Sequence, residues 1–226
     1  LIWILISLGI IVRYFAEKFL TSILPNTTVY FFVVTILAVV FYALRSGIVY
    51  TSRTAEFLFL IFLAIFFLLF VLSIPRLEVI NLFPVTYYDI VPVLKASFSI
   101  IGTWSVFTFV FFFGDRINDK EHIKRFGMQG MVFLTITALM ILIQTIGVYG
   151  YSVIERVSMP YVIVTKSIAL LETIERIESV AAAAWVIIDF VSISVFVYVA
   201  VSIIKSLFSL SDVKPLISPV VTFAAV

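Results

Sequence analysis

The sequence contains no cysteine, a single histidine and little charge of either sign. Without cysteine there can be no disulfide, thiol nucleophile or thiolate metal site. The lone His122 follows Glu121 in the charged stretch "DRINDKEHIKR", where a solvated side chain is expected rather than a base or metal ligand. No histidine is therefore placed to activate a serine or threonine. The 8 glycines form no phosphate-cradling pattern. These absences argue against an enzyme, and no cofactor or metal is expected. The 15 basic and 13 acidic residues leave a formal charge of +2, and the basic ones form no sustained block, which argues against a nucleic-acid partner.

What is present is apolar. Hydrophobic residues make up 63% of the chain and charged ones 12%, whereas soluble domains carry roughly 25% charge. The mean hydropathy is +1.25, and 24 Phe and 10 Tyr supply side chains suited to the bilayer and its interfaces. This composition specifies an integral membrane protein whose first partner is the lipid bilayer.

A hydrocarbon core of roughly 30 Å needs about 20 apolar residues per helix. Runs of that kind fall near 1–20, 29–47, 54–74, 93–114, 128–150, 179–205 and 215–226. They are continuous, unlike the alternating segments of membrane barrels, so the predicted fold is all-α, a single polytopic helical membrane domain. The chain opens on "LIWILISLGI" with neither an initiator Met nor a basic leader and stops within "LISPVVTFAAV". Both ends are read as interior to a longer protein.

Basic residues gather in alternate loops: Arg45 and Arg53, then Arg116, Lys120, Lys124 and Arg125, then Lys205 and Lys214. The opposite side carries only Lys18, Arg76, Arg156 and Lys166. By the positive-inside rule the richer loops are cytoplasmic, and the first helix runs outward. The connections 75–92, with three prolines, and 151–178, with Pro160 and an amphipathic stretch, are not expected to span.

The segment "IERIESVAAAAWVIID" carries Glu175, Arg176, Glu178 and Asp189 into an apolar run. As one helix, residues 172–204 would reach roughly 50 Å, so the first turns must emerge into the interface or a water-filled cavity. Glu178, Ala182, Trp185 and Asp189 share a face at 100° per residue. Glu172 can pair with Arg176 one turn on. Two readings stand for these charges: a solvated cap whose acids favour the helix N-terminus, or groups that line a polar cavity. Asp189 lies deep, where an ionisable group is costly unless paired or hydrated, so it is read as functional over a structural hydrogen bond. The small surface of "AAAA" lets a neighbouring helix approach. Arg13 and Glu17 stand one turn apart and can pair; Glu17 and Lys18 are read as interfacial, and Arg13 as deeper.

The order of short motifs resembles the spore-germination permease family, the membrane-embedded B subunit of endospore germinant receptors. These are "LPNTT" after the first run, "ALRSG" and "RTAEFLFL", "INLFPV", "MPYVIVTKSI", "ETIERIESV" with Trp185 seven residues after Glu178, and "VKPLISP". The resemblance implies a branch of the amino acid, polyamine and organocation transporters, with about ten helices in two inverted repeats. This chain would then hold the third to the ninth. Where family members often have a Pro-Phe-Gly-Glu-like step, this chain has "SIIGTWSVFTF". Gly102, Thr103 and Ser105 can still permit a local break; the alternative is an unbroken helix with Gly102 in close contact.

The resemblance implies a transporter-fold sensor of a small germinant, an amino acid or similar nutrient, in the spore inner membrane, partnered by a soluble-headed membrane subunit and a lipoprotein. Expected ligand contacts are Glu178 or Asp189 for an ammonium, Arg176 or backbone N–H groups near Gly102, Thr103 and Ser105 for a carboxylate, with Trp185 and Arg13 beside them. A working amino-acid permease and a ligand-free structural or ion-conducting subunit are the alternatives.

Overall fold

The computed structural model describes residues 1–22, 24–83, 86–116, 121–157, 159–168 and 177–225. In chain order these form α1 (Ile2–Ser22), α2 (Val29–Ser46), α3 (Ile48–Ser73), α4 (Ile90–Trp104), α5 (Ile123–Tyr149), α6 (Tyr151–Ile154), α7 (Pro160–Ser167), α8 (Ile177–Leu207) and α9 (Lys214–Ala224). Short 3-10 turns lie at Ile74–Arg76, Val79–Leu82 and Tyr87–Asp89, and a longer 3-10 stretch, Ser105–Arg116, continues α4. There is no strand among the described residues. Four described helices are long and apolar enough to cross a membrane: Val29–Ser46, Ile48–Arg76, Ile123–Tyr149 and Ser179–Leu207. Helices suit this sequence because lipid offers no partners to backbone N–H and C=O groups.

Helix ends follow local chemistry. Gly47 takes φ 112°, open to a residue without Cβ, and its N–H bonds to Leu44 O to close α2. Pro160 and Pro215 sit in the first turns of α7 and α9, where a missing N–H costs no helical bond. Among the described residues, the connections 75–92 and 151–178 hold short turns and helices before the starts of α4 and α8.

The chain divides into two compact units. One contains Leu1–Leu69 with α8 and α9; the other is Phe70–Ile168. In the first, α8 packs against α1, α2 and α9. On α1 the buried residues Ile4, Leu8, Val12, Phe15, Ala16 and Phe19 form a stripe at helical spacing. They meet a helix whose own buried set begins with Ala181, Ala182 and Ala184 and continues through Ile193, Val197 and Ala200. Alanines let backbones approach where lipid supplies no hydrophobic drive for helix association. Phe19 packs on Phe15 at 5.0 Å and on Phe32 of α2 at 5.4 Å between ring centroids, tying the α1–α2 hairpin. The Thr51 hydroxyl donates to Ala43 O at 3.0 Å, joining the start of α3 to α2.

In the second unit the end of α5 receives the turns that follow α3. Gly147 O accepts the Glu78 N–H at 2.9 Å and Asn81 Nδ2 at 3.0 Å. A Cβ on Gly147 would lie 2.6 Å from Leu77 Cδ2, so a larger residue here would have to displace the end of that side chain. Gly150, at φ 73°, then reverses the chain beside Asn81. Farther on, Tyr149 Oη donates to Ile163 O of α7 at 3.3 Å. Tyr161 of α7 is half-buried, but its hydroxyl is buried and unpartnered among the described residues, and that burial pushes the phenol up to about 12.

Candidate functional site

The deepest charge in the first unit is Asp189. It stands 12 residues into α8, about 18 Å along the axis from Ile177. Only 8% of the residue is exposed, and Lys18 of α1 donates its ammonium to Asp189 Oδ2. The partners are 171 residues apart in sequence. Lys18 is itself largely buried, its side chain 14% exposed, and the ammonium also lies 5.5 Å from the centre of the Tyr14 ring. Lys18 is thus not the interfacial group that the sequence predicts: its long stem turns inward because an acid on α8 waits at the same height. Among the described residues Lys18 is a site residue that the sequence analysis missed, since it stands beside Glu17 and one turn and more from Arg13 in a short charged patch at the end of α1.

The pair explains how Asp189 is tolerated. An unpaired carboxylate at this depth is costly, and an ammonium with the opposite charge removes most of that cost. What results is a neutral but polar clasp between α1 and α8, with Ala182 and Ala184 buried within about two turns before it on α8. Trp185, one turn before Asp189, is half-buried on the same face. Glu178 lies in the first turn of α8, and the structure describes its backbone only. Glu172, Glu175 and Arg176 lie outside the described residues.

Arg13 pairs with Glu17 within α1, Nε donating to Oε1 at 2.8 Å. This pair is half-exposed, and five residues of helix turn Arg13 about 140° away from Lys18. Arg13 and Glu17 border a cleft of about 620 Å³ formed by α1, the start of α2 and the end of α9. That volume suits a small ligand or a chain of lipid.

Gly102, Thr103 and Ser105 belong to the second unit. The α-helix gives way to 3-10 geometry between Trp104 and Ser105, one residue after Thr103. A 3-10 stretch within a helix is a common mark of a hinge. Gly102 is exposed, and among the described residues nothing lies within 4 Å of where its Cβ would stand. For Thr103 and Ser105 the structure describes the backbone alone. No group of three or more metal-ligating side chains occurs among the described residues.

Comparison with known proteins gives a consistent result. Residues 1–226 match the family model described as "Spore germination protein". Spore germination protein KB of Bacillus subtilis (strain 168) is 26% identical over 214 residues. That alignment covers 92% of this chain and 57% of the relative, so the chain spans little more than half the length of the protein it resembles. No solved structure matches.

Proposed function

The chain belongs to the spore germination protein family, and from that premise we propose that it is the helical membrane core of a germinant receptor-type subunit. In this reading seven spans of an inverted-repeat, transporter-like fold surround a site for a small amino acid or similar nutrient. The full protein works in the spore inner membrane with a soluble-headed membrane subunit and a lipoprotein.

The observation that carries the proposal is the buried Lys18–Asp189 pair. A ligand ammonium of the same chemistry as the Lys18 head competes for the Asp189 carboxylate. Exchange of one cation for the other leaves Asp189 neutralised but releases α1 from α8. A ligand that favours the released arrangement shifts the equilibrium by its difference in affinity for the two states, and partner subunits can read that shift. Trp185, one turn before Asp189 on the same helix face, borders the ligand there. The proposal that Gly102, Thr103 and Ser105 offer backbone groups to a ligand stands apart from this pair and is tested by Gly102→Ala, for which the fold has room.

A thermal-shift screen of the full-length protein against free amino acids tests the reading, with stabilisation by at least one of them expected. Asp189→Asn, which keeps a hydrogen-bond acceptor for Lys18, should weaken the germinant response more than membrane abundance. Equal loss of both would make Asp189 a structural residue. A working permease is the second reading, favoured by the same pair because buried charges at depth also mark transport pathways. Concentrative uptake by proteoliposomes of the isolated subunit would establish it. A protein stabilised by no ligand, whose Asp189 variants germinate normally, would be a structural or ion-conducting subunit.

A further inference from the structure

The cleft on the first unit has an unusual division of chemistry. Leu5, Gly9, Arg13 and Glu17 follow one another at four-residue spacing, so one stripe of α1 is apolar below and charged above. The stripe is about 18 Å long, close to the roughly 15 Å depth of one leaflet. Tyr30 of α2 and Phe223 of α9 complete the walls. Among the described residues nothing lies within 4 Å of a Cβ at Gly9, so the glycine widens the cleft it lines.

The charged end raises a physical problem. Arg13 and Glu17 are 60% and 46% exposed, yet helical rise places them only about 14 and 8 Å below Ser22. A charge pair facing acyl chains at that depth needs further polar partners. Arg13 spends its Nε on Glu17, which leaves its Nη groups without a partner among the described residues, and Glu17 retains Oε2. The unmet demand is one anion with several oxygens beside one cationic donor, a few ångströms apart, above an apolar slot. A free zwitterion satisfies the first half only.

We propose that this cleft is a binding site for a zwitterionic phospholipid of the phosphatidylethanolamine type. The phosphate sits on the Arg13 guanidinium, where planar donors match its oxygens, and the headgroup ammonium sits on Glu17. One acyl chain runs down the slot over Gly9 and Leu5. An anionic phosphatidylglycerol would bring the phosphate without an ammonium and leave Glu17 Oε2 with no cationic partner from the lipid.

The test uses the full-length protein, purified in mild detergent and offered phosphatidylethanolamine, phosphatidylglycerol or glycerophosphoethanolamine, with bound lipid read by native mass spectrometry. Phosphatidylethanolamine should be retained about tenfold over phosphatidylglycerol, the value of one charge-assisted contact. Glycerophosphoethanolamine, lacking acyl chains, should be lost. Glu17→Gln should abolish the preference between the two lipids while lipid binding persists. Gly9→Leu occupies the slot from a position where a Cβ meets no described atom within 4 Å, so the protein should keep its thermal midpoint and lose both lipids. Equal retention of the two lipids by the wild type would overturn the proposal, as would undiminished binding by the Gly9→Leu protein. So would a large fall in the Gly9→Leu midpoint, which would show the slot filled by protein. Ligand response plays no part in this readout, so failure here leaves the germinant reading intact.

Discussion

Two helices of similar length and hydropathy have opposite fates. Half of the apolar window of α8 is buried, against 17% of that of α5. The difference lies in the kind of apolar residue. Buried positions on α8 are alanine, valine, isoleucine and phenylalanine on several sides, and they include Asp189 and Ser194. The middle of α5 presents Met131, Val132, Leu134, Ile136 and Leu139 outward, and its buried residues gather at the C-terminal end, at Gln144, Thr145 and Gly147. Lipid is as good a neighbour as protein for a leucine, so hydropathy alone cannot say which helix is central. Small residues and charges can, because only another helix fills the space beside an alanine or answers a carboxylate.

The sharpest way to break this contrast is to remove the charge. Asp189→Ala strands the Lys18 ammonium and should cost about 3–5 kcal/mol, read as a lower thermal midpoint in detergent. The double variant Lys18→Met with Asp189→Leu should recover most of that loss, and a double variant no better than the single would deny that the pair carries the cost. Next in size is packing. Ile193→Ala on α8, fully buried, should cost roughly 2 kcal/mol, since in lipid only the cavity part of the penalty survives. The corresponding Leu139→Ala on α5, 54% exposed, should fall within about 0.5 kcal/mol of wild type. Similar losses at the two positions would erase the distinction between hub and periphery.

At the anchored end of α5, Gly147→Ala should cost about 1–3 kcal/mol because Leu77 must move, and Asn81→Ala less, through one hydrogen bond to Gly147 O. Proteolysis within 75–92 would report both. The smallest effect belongs to Asp89. Its carboxylate accepts the Thr86 N–H at 2.8 Å and the Thr86 hydroxyl at 2.9 Å, and these bonds hold it below the ordinary value of 3.8. A depressed carboxylate stabilises the turn above that value and ceases to do so as pH falls through its own, lower one. Amide exchange at Thr86 should therefore speed up under strong acid, and Asp89→Asn should remove that dependence.

Much of this was legible early. The runs at 29–47, 128–150 and 179–205 correspond to helices at Val29–Ser46, Ile123–Tyr149 and Ile177–Leu207, since uninterrupted apolar sequence leaves the backbone no alternative in lipid. The pairing of Arg13 with Glu17 was equally local, a matter of one helical turn. Within the run at 93–114 the α-helix ends at Trp104 and 3-10 geometry begins at Ser105. Lys18 was misplaced, because a lysine near a helix end reads as a snorkelling side chain unless its partner is known.

The sequence by itself determined that this chain is helical, belongs in a bilayer, and bears an acid at Asp189 that must be answered. Only the tertiary structure decided what answers it. Hydropathy and spacing act over one or two turns of helix, whereas the ammonium that meets Asp189 comes from the far end of the chain, brought there by the packing of α1 on the alanine-lined start of α8.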